Sequence, residues 1–305
     1  MKLFFLIVIV SLSYGQNIFK PLPKNIKYDK KIVELGRELF FETMLSKNND
    51  ISCASCHSKY GADDQIFSKG TDNKIGSINT PTVFNLNYNI DFFWNGRSEN
   101  LKEQLTNGPL FAEHEMANDK DTIETRIKSS KKYIKLFRSA YDQKPSFDKM
   151  LDALVEFEKT LITPNSKFDK YLRGETNLSQ NEQNGLKLFK SYGCASCHNG
   201  INLGSNSYQK YGAVIEYKNE HKQWDDRYKV TKDTNDIDVF KVPSLRNVQM
   251  TSPYFHDGSA NTLQSAIYSM AYHNIGTILK QNEVENIESF LKTLTGDLPE
   301  TLSGN

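Results

Sequence analysis

The sequence has no excess charge of either sign, no low-complexity tract and almost no long apolar run. Lysine and arginine number 38 against 37 aspartates and glutamates, a formal net charge of +1 over 305 residues, so nucleic-acid binding has no support. The one marked apolar run, Leu3 to Val10, follows Lys2 and leads into Ser11-Leu12-Ser13-Tyr14-Gly15. About eight apolar residues fall far short of the ~20 that span a bilayer. Residues 1–15 therefore read as a secretory signal peptide cut near Gly15-Gln16, and the expected product is a soluble periplasmic protein with no membrane span. Cysteine is scarce too. There are four, and every one belongs to a single repeated pentapeptide.

That pentapeptide is Cys53-Ala54-Ser55-Cys56-His57, repeated as Cys194-Ala195-Ser196-Cys197-His198. Two thiols three residues apart can each form a thioether with one haem vinyl group, and the adjoining imidazole then reaches the iron. The expectation is two covalently bound haem c groups, attached through Cys53, Cys56, Cys194 and Cys197, with His57 and His198 as proximal iron ligands. A four-cysteine zinc site would bring its pairs within roughly 15–20 residues of each other, far closer than Cys56 is to Cys194. A thioredoxin-like dithiol gives no role to the histidine that follows both pairs. With both haems attached, no thiol remains for a disulfide framework.

The surroundings of the two motifs repeat as well. Gly36-Arg37-Glu38-Leu39-Phe40 answers Gly185-Leu186-Lys187-Leu188-Phe189, and Pro81-Thr82-Val83-Phe84-Asn85 answers Pro243-Ser244-Leu245-Arg246-Asn247. Phe93-Trp94-Asn95-Gly96 answers Phe255-His256-Asp257-Gly258 at the same interval, Leu101 and Leu263 follow in register, and Phe157 to Leu161 answers Phe290 to Leu294. Apolar residues recur at helical spacing in Ile32, Leu35, Leu39 and Phe40, and again in Leu151, Leu154, Val155 and Leu161. The expected fold is mainly α: two tandem class I cytochrome c-like haem domains related by internal duplication. They span residues 16–162 and 163–305, with the last residues packing back on the first domain. Pro164 and Asn165 open a linker from Thr163 to Ser179, where Ser179 and Glu182 form a capping box. Residues 208–238, rich in charge and tyrosine, read as a surface insertion with at most a short hairpin.

On these segments, and on Asn79 to Asn85, Phe93 to Arg97, Lys102 to Met116, Thr163-Pro164-Asn165-Ser166 and Pro253 to Gly258, the chain resembles the bacterial di-haem cytochrome c peroxidases, the family that also holds the MauG-type enzymes. The likeness covers nearly the whole chain beyond the signal peptide. It implies that Trp94 lies between the haems and assists electron transfer. Gln104 and Glu115 would stand over the peroxide-binding face of the N-terminal haem, Gln104 orienting peroxide and Glu115 moving the proton that O–O cleavage requires. One extra residue in this stretch leaves Glu113 competing with Glu115, and His114 between them reads as a loop histidine. Met270 would be the distal ligand of the C-terminal haem, a thioether that raises its potential; Tyr268 and Tyr272 are the tyrosine alternatives that a MauG-type enzyme would use.

The resemblance also implies a calcium ion held by the Asn79 side chain and the carbonyls of Thr251 and Pro253, and a homodimer. The chain departs from the family in the loop after the first motif, where Thr71 stands in place of a histidine that blocks the N-terminal iron. The expected function is reduction of hydrogen peroxide to water, at an N-terminal haem that is open without reductive activation, by electrons from a small periplasmic cytochrome c or cupredoxin. A MauG-type oxidase acting on a partner protein and a non-catalytic electron-transfer protein are the alternatives.

Overall fold

The computed structural model describes residues 18–57, 60–218 and 225–303, so the signal peptide and its cleavage site lie outside the described residues. Among the described residues, twelve α-helices account for most of the regular structure. They are α1 Lys30–Phe40, α2 Cys53–Cys56, α3 Leu101–Asn107, α4 Lys120–Ser129, α5 Lys131–Tyr141, α6 Phe147–Thr160, α7 Lys167–Leu172, α8 Gln180–Ser191, α9 Tyr228–Thr231, α10 Leu263–Met270, α11 Gln281–Lys292 and α12 Glu300–Ser303. One small antiparallel hairpin pairs β1 Tyr208–Lys210 with β2 Val239–Lys241, closing the insertion at its base. No helix among the described residues is long and apolar enough to cross a membrane.

The helices begin where side chains can satisfy their free N–H groups. Asp29 accepts from Lys31 and Ile32 at the start of α1, Ser146 accepts from Lys149 at the start of α6, and Ser179 with Glu182 makes the expected reciprocal box on α8. Helix α1 buries Val33, Leu35, Leu39 and Phe40 against Leu151, Ala153, Leu154 and Phe157 of α6. Gly36 sits at the crossing, where a Cβ would collide with the Ala153 carbonyl. Helices α8 and α11 cross in the same way at Gly185, against the Asn286 carbonyl and Phe290. The glycines matched in sequence are thus the two points of closest helix approach.

Two apolar cores result. The first gathers residues between Val33 and Leu161, the second residues between Phe168 and Leu294. Chain ends cross over between them. Residues 18–22, expected with the first domain, lie with the second core: Phe19 packs edge-on against Phe168, and the Leu22 N–H donates to Asp169. The cause is a buried ion pair, since Arg246 makes two parallel bonds of 3.0 Å to Asp169 and also donates to the carbonyls of Ile201 and Lys20. Both side chains are 0% exposed, and such a pair is tolerated only when its remaining hydrogen-bonding capacity is filled in this way. At the other end, Leu302 of α12 packs on the first core while the Arg37 Nε donates to its carbonyl. The linker contains α7, which carries Asp169, so it is an ordered element and not a spacer.

Asn85 and Asn247 occupy equivalent turns in left-handed conformation, φ 62° and 61°. Their N–H groups donate to the matched carbonyls of Leu161 and Leu294, and their side-chain oxygens accept from Thr163 and Gly296. Both side-chain amides then donate to the single Thr163 hydroxyl, each at 2.9 Å. Adding a methyl at either helix crossing should separate the helices. Gly36→Ala is expected to lower stability by about 1–3 kcal/mol, although alanine is the better helix former by about 1 kcal/mol. Urea unfolding checks this, and an unchanged midpoint would contradict the close crossing.

Candidate active site

A continuous cavity lies between and within the two cores, and its wall includes all four cysteines, His57, His198, Trp94 and Met270. The first motif forms α2, with Ser52 and Ser55 boxing its start, and the second forms a tight turn after Gly193. In each half the histidine Nδ1 is tied to a backbone carbonyl, His57 to Gly61 at 2.9 Å and His198 to Leu203 at 3.2 Å. The same carbonyls accept from Val83 and Leu245, the residues after each matched proline pair. An Nδ1–H held in this way leaves Nε2 as the free lone pair, the arrangement that an iron-ligating imidazole requires. Burial lowers the pKa of both imidazoles, His198 to about 4, and so keeps them neutral.

Burial likewise pushes the Cys53 thiol well up, and Cys56 and Cys194 to about 11. Among the described residues no three His, Cys, Asp or Glu side chains converge as a metal-ion site, so the cysteines do not meet as a zinc centre. Two thiols and an oriented neutral imidazole in the wall of each half fit one haem c per half.

The first half of the cavity carries charge. Gln104 on α3, Arg97, His114 and Glu115 all line it. Glu113 turns away: its side chain is 86% exposed and pairs with Lys74 at 3.0 Å. Glu115 turns inward, with 34% exposure of its side chain, and burial raises its pKa to about 7 against the opposing pull of the Arg97 guanidinium. That guanidinium lies 3.3 Å from the centre of the Phe93 ring. Gly108 permits the arrangement, because a Cβ there would strike Phe93 and crowd the Glu115 carboxylate.

The Thr71 loop supports Glu115 from behind. The Thr71 N–H donates to the Glu115 carbonyl at 2.8 Å, and a Cβ at Gly70 would collide with the backbone of His114 and Glu115. The Thr71 side chain is buried and bonds to both oxygens of Asp50; residues 68–70 line the cavity, whereas Thr71 does not. His114 lies in a loop, but it is not remote from the site as a plain loop histidine would be: it lines the cavity, with its imidazole 3.8 Å from Glu115.

Around Met270 the second half is lined by apolar groups. Met270 ends α10 and lines the cavity with Ala266, Ile267, Ala271 and Leu291. The two tyrosines beside it are not in the wall: the Tyr268 hydroxyl donates to Gln281, and Tyr272 is exposed. Between the halves, the Trp94 indole donates to the Asn79 carbonyl at 2.8 Å and meets His256 and Phe240 edge-on. His256 stacks on Phe240 with ring centres 4.1 Å apart, and burial lowers its pKa to about 4.

Asn79, Thr251 and Pro253 all reach this cavity. The Asn79 amide nitrogen donates to the carbonyls of Gln65 and Ile66, which leaves its oxygen available to a cation. The sequence reading missed Arg97, Tyr211 and Glu158 as parts of the wall. Tyr211 comes from the insertion and hydrogen-bonds Ser269 next to Met270; its only signal was the tyrosine content of that stretch.

Comparison with known proteins supplies independent information. A family model described as di-haem cytochrome c peroxidase matches residues 30–177. The chain is 43% identical to the cytochrome c551 peroxidase of Nitrosomonas europaea over 273 residues, covering 88% of this chain and 81% of that protein. It is 38% identical to the cytochrome c551 peroxidase of Pseudomonas aeruginosa, over 92% and 85% of the two chains. Among solved structures, a MauG-like protein associated with microbial copper homeostasis superposes with a TM-score of 0.82 at 26% identity, covering 95% of this chain and 98% of that one.

Proposed function

The chain belongs to the di-haem cytochrome c peroxidase family, oxidoreductases acting on peroxide, and from this membership we propose that it reduces hydrogen peroxide to water in the periplasm with electrons from a small cytochrome c or cupredoxin. The observation that carries the assignment is the unlike chemistry of the two halves of the cavity. An inward carboxyl with a guanidinium and an amide lies in the first half, and a thioether with apolar neighbours in the second. The architecture we assign is two tandem cytochrome c-like domains related by duplication, residues 16–162 and 163–305 apart from the exchanged ends, working as a homodimer.

Haem bound at each motif supplies the iron that carries electrons and, in the first half, activates the peroxide oxygen. The protein does the rest. Glu115 takes a proton from one peroxide oxygen and delivers it to the other, a role suited to a carboxyl whose pKa lies near neutrality. Gln104 holds the peroxide by hydrogen bonding, and Arg97 offsets negative charge as the O–O bond separates. Trp94 bridges the two halves of the cavity, and its hydrogen bond to Asn79 fixes the plane of the indole. Met270 would offer its thioether to a haem bound in the second half, a ligand that raises the potential and suits that haem to receive electrons. The outward turn of Tyr268 and Tyr272 supports this over tyrosine ligation and MauG-type oxidation of a partner. Calcium, bound by the Asn79 side-chain oxygen and the carbonyls of Thr251 and Pro253, would brace the junction with the oxygen ligands it prefers.

Two outcomes test the roles. Glu115→Gln should lower kcat/KM for peroxide by about 10²–10⁴-fold with both haems attached, whereas Glu113→Gln should stay within about fivefold, as the loss of an exposed ion pair implies. Full activity in Glu115→Gln would contradict the assignment. Because the base must be ionised in the free enzyme, kcat/KM should fall tenfold per unit as the pH drops below about 7; a flat profile through that range would remove Glu115 as the base.

A further inference from the structure

Glu158 is a carboxyl in the cavity wall that the chemistry above does not use. It lies on α6 after Phe157, is 4% exposed, and its Oε2 has no hydrogen-bond partner among the described residues. In the other half the matched position on α11 is Leu291, equally buried at 4% and also lining the cavity. The fold therefore accepts an apolar side chain at this place. An isolated carboxyl there is unfavourable whenever it is ionised, so its presence calls for a partner that packing does not provide.

We propose that Glu158 is the redox-linked proton acceptor of the N-terminal haem, binding a proton when that haem gains an electron and releasing it when the electron leaves. This rests on the reading above that haem attaches at Cys53 and Cys56. Glu158 and Cys53 line the same cavity, Cys53 belongs to the core that α6 builds, and the carboxylate acts electrostatically on the Cys53 thiol. A ferric haem carries one more positive charge than a ferrous one, and in a poorly polarisable wall that charge favours the carboxylate strongly. Reduction removes the charge and leaves the carboxylate uncompensated, so one proton from solvent follows each electron from the donor protein.

Burial alone already pushes the Glu158 pKa up to about 8, within reach of neutral pH in either direction. No charged side chain of α1, α3 or α4, which pack on α6, contributes to that shift. The other groups acting on Cys53 are Cys56, itself consumed by attachment, and Glu115. The His57 imidazole responds to Gly61 and Asp63, and not to Glu158. Leu291 can give the second haem no such coupling. The sign follows: protonation favours the reduced state, so the N-terminal potential falls as pH rises.

The test is a spectroelectrochemical titration of the holoprotein at several pH values around neutrality, with two attached haems verified by mass. In the native protein the N-terminal potential should fall by about 59 mV per tenfold decrease in proton activity within the coupled window, while the C-terminal potential stays level. Glu158→Gln, of the same shape, and Glu158→Leu, the residue of the matched position, each made in a Glu115→Gln background so that the other cavity carboxyl contributes nothing, should both abolish the slope and keep both haems; Glu115→Gln alone should retain one. A native protein without a slope, a slope that survives both Glu158 variants, or one already lost in Glu115→Gln alone would overturn the proposal. A native protein that binds fewer than two haems would instead overturn the reading of the site on which it rests.

Discussion

Two backbone hydrogen bonds exchanged between the halves set the geometry of everything between them. The Asn79 N–H donates to the His256 carbonyl at 2.8 Å, and the Lys241 N–H donates to the Trp94 carbonyl at 2.7 Å. The four residues are matched in pairs along the sequence, so each half presents the same donor to the same acceptor of the other. Backbone bonds of this kind cannot be kept while the halves slide, since each fixes the register of the other. They hold Trp94 and His256 side by side in a common wall, and the Asn79 carbonyl then accepts the indole N–H as well. The Thr163 hydroxyl, shared by Asn85 and Asn247, ties the two halves together at a second point.

Around these matched backbone bonds the side chains differ. Lys241, where the first half has Asn79, is buried against Asp91, and burial lowers its pKa to about 8. Glu158 stands opposite Leu291, and Trp94 opposite His256. In the first half the cavity is lined by a carboxyl of near-neutral pKa; in the second it is lined by Met270. Each exchange is a change of charge or polarity at a position whose backbone is already fixed, and for that reason the two sites can differ chemically without a difference in fold. The proposed division of labour, peroxide at one haem and electron entry at the other, is a consequence of these few positions.

Much of this was legible in the sequence, because it depends on local signals. The haem motifs, the capping box at Ser179 and the helical periods of α1 and α6 are all set by residues near one another in the chain, whereas Gly36 and Gly185 could be matched in sequence but not seen as helix crossings. What could not be read depends on contacts across it. Residues 18–22 follow the second core because Asp169 and Arg246 accept and donate to their backbone, a pairing with no local trace. The choice between Glu113 and Glu115 turned on which way a loop residue faces, decided by Gly108, Phe93 and the Thr71 loop. Tyr211 lies in an insertion with no counterpart in the first half, and Glu158 sits where a helical pattern shows only a polar residue on an apolar face. Thr71 opens a short turn of its loop, and its bonds to Asp50 had no trace in the sequence.

The central claim is that one iron is accessible and the other is not. It is tested most directly by the electron paramagnetic resonance spectrum of the fully oxidised protein as isolated. With Thr71 bound to Asp50 and out of the cavity wall, and with Met270 as the proposed ligand of the second haem, the account predicts one high-spin ferric signal beside one low-spin signal. Two low-spin haems would contradict it, because the first iron would then carry a sixth ligand from the protein.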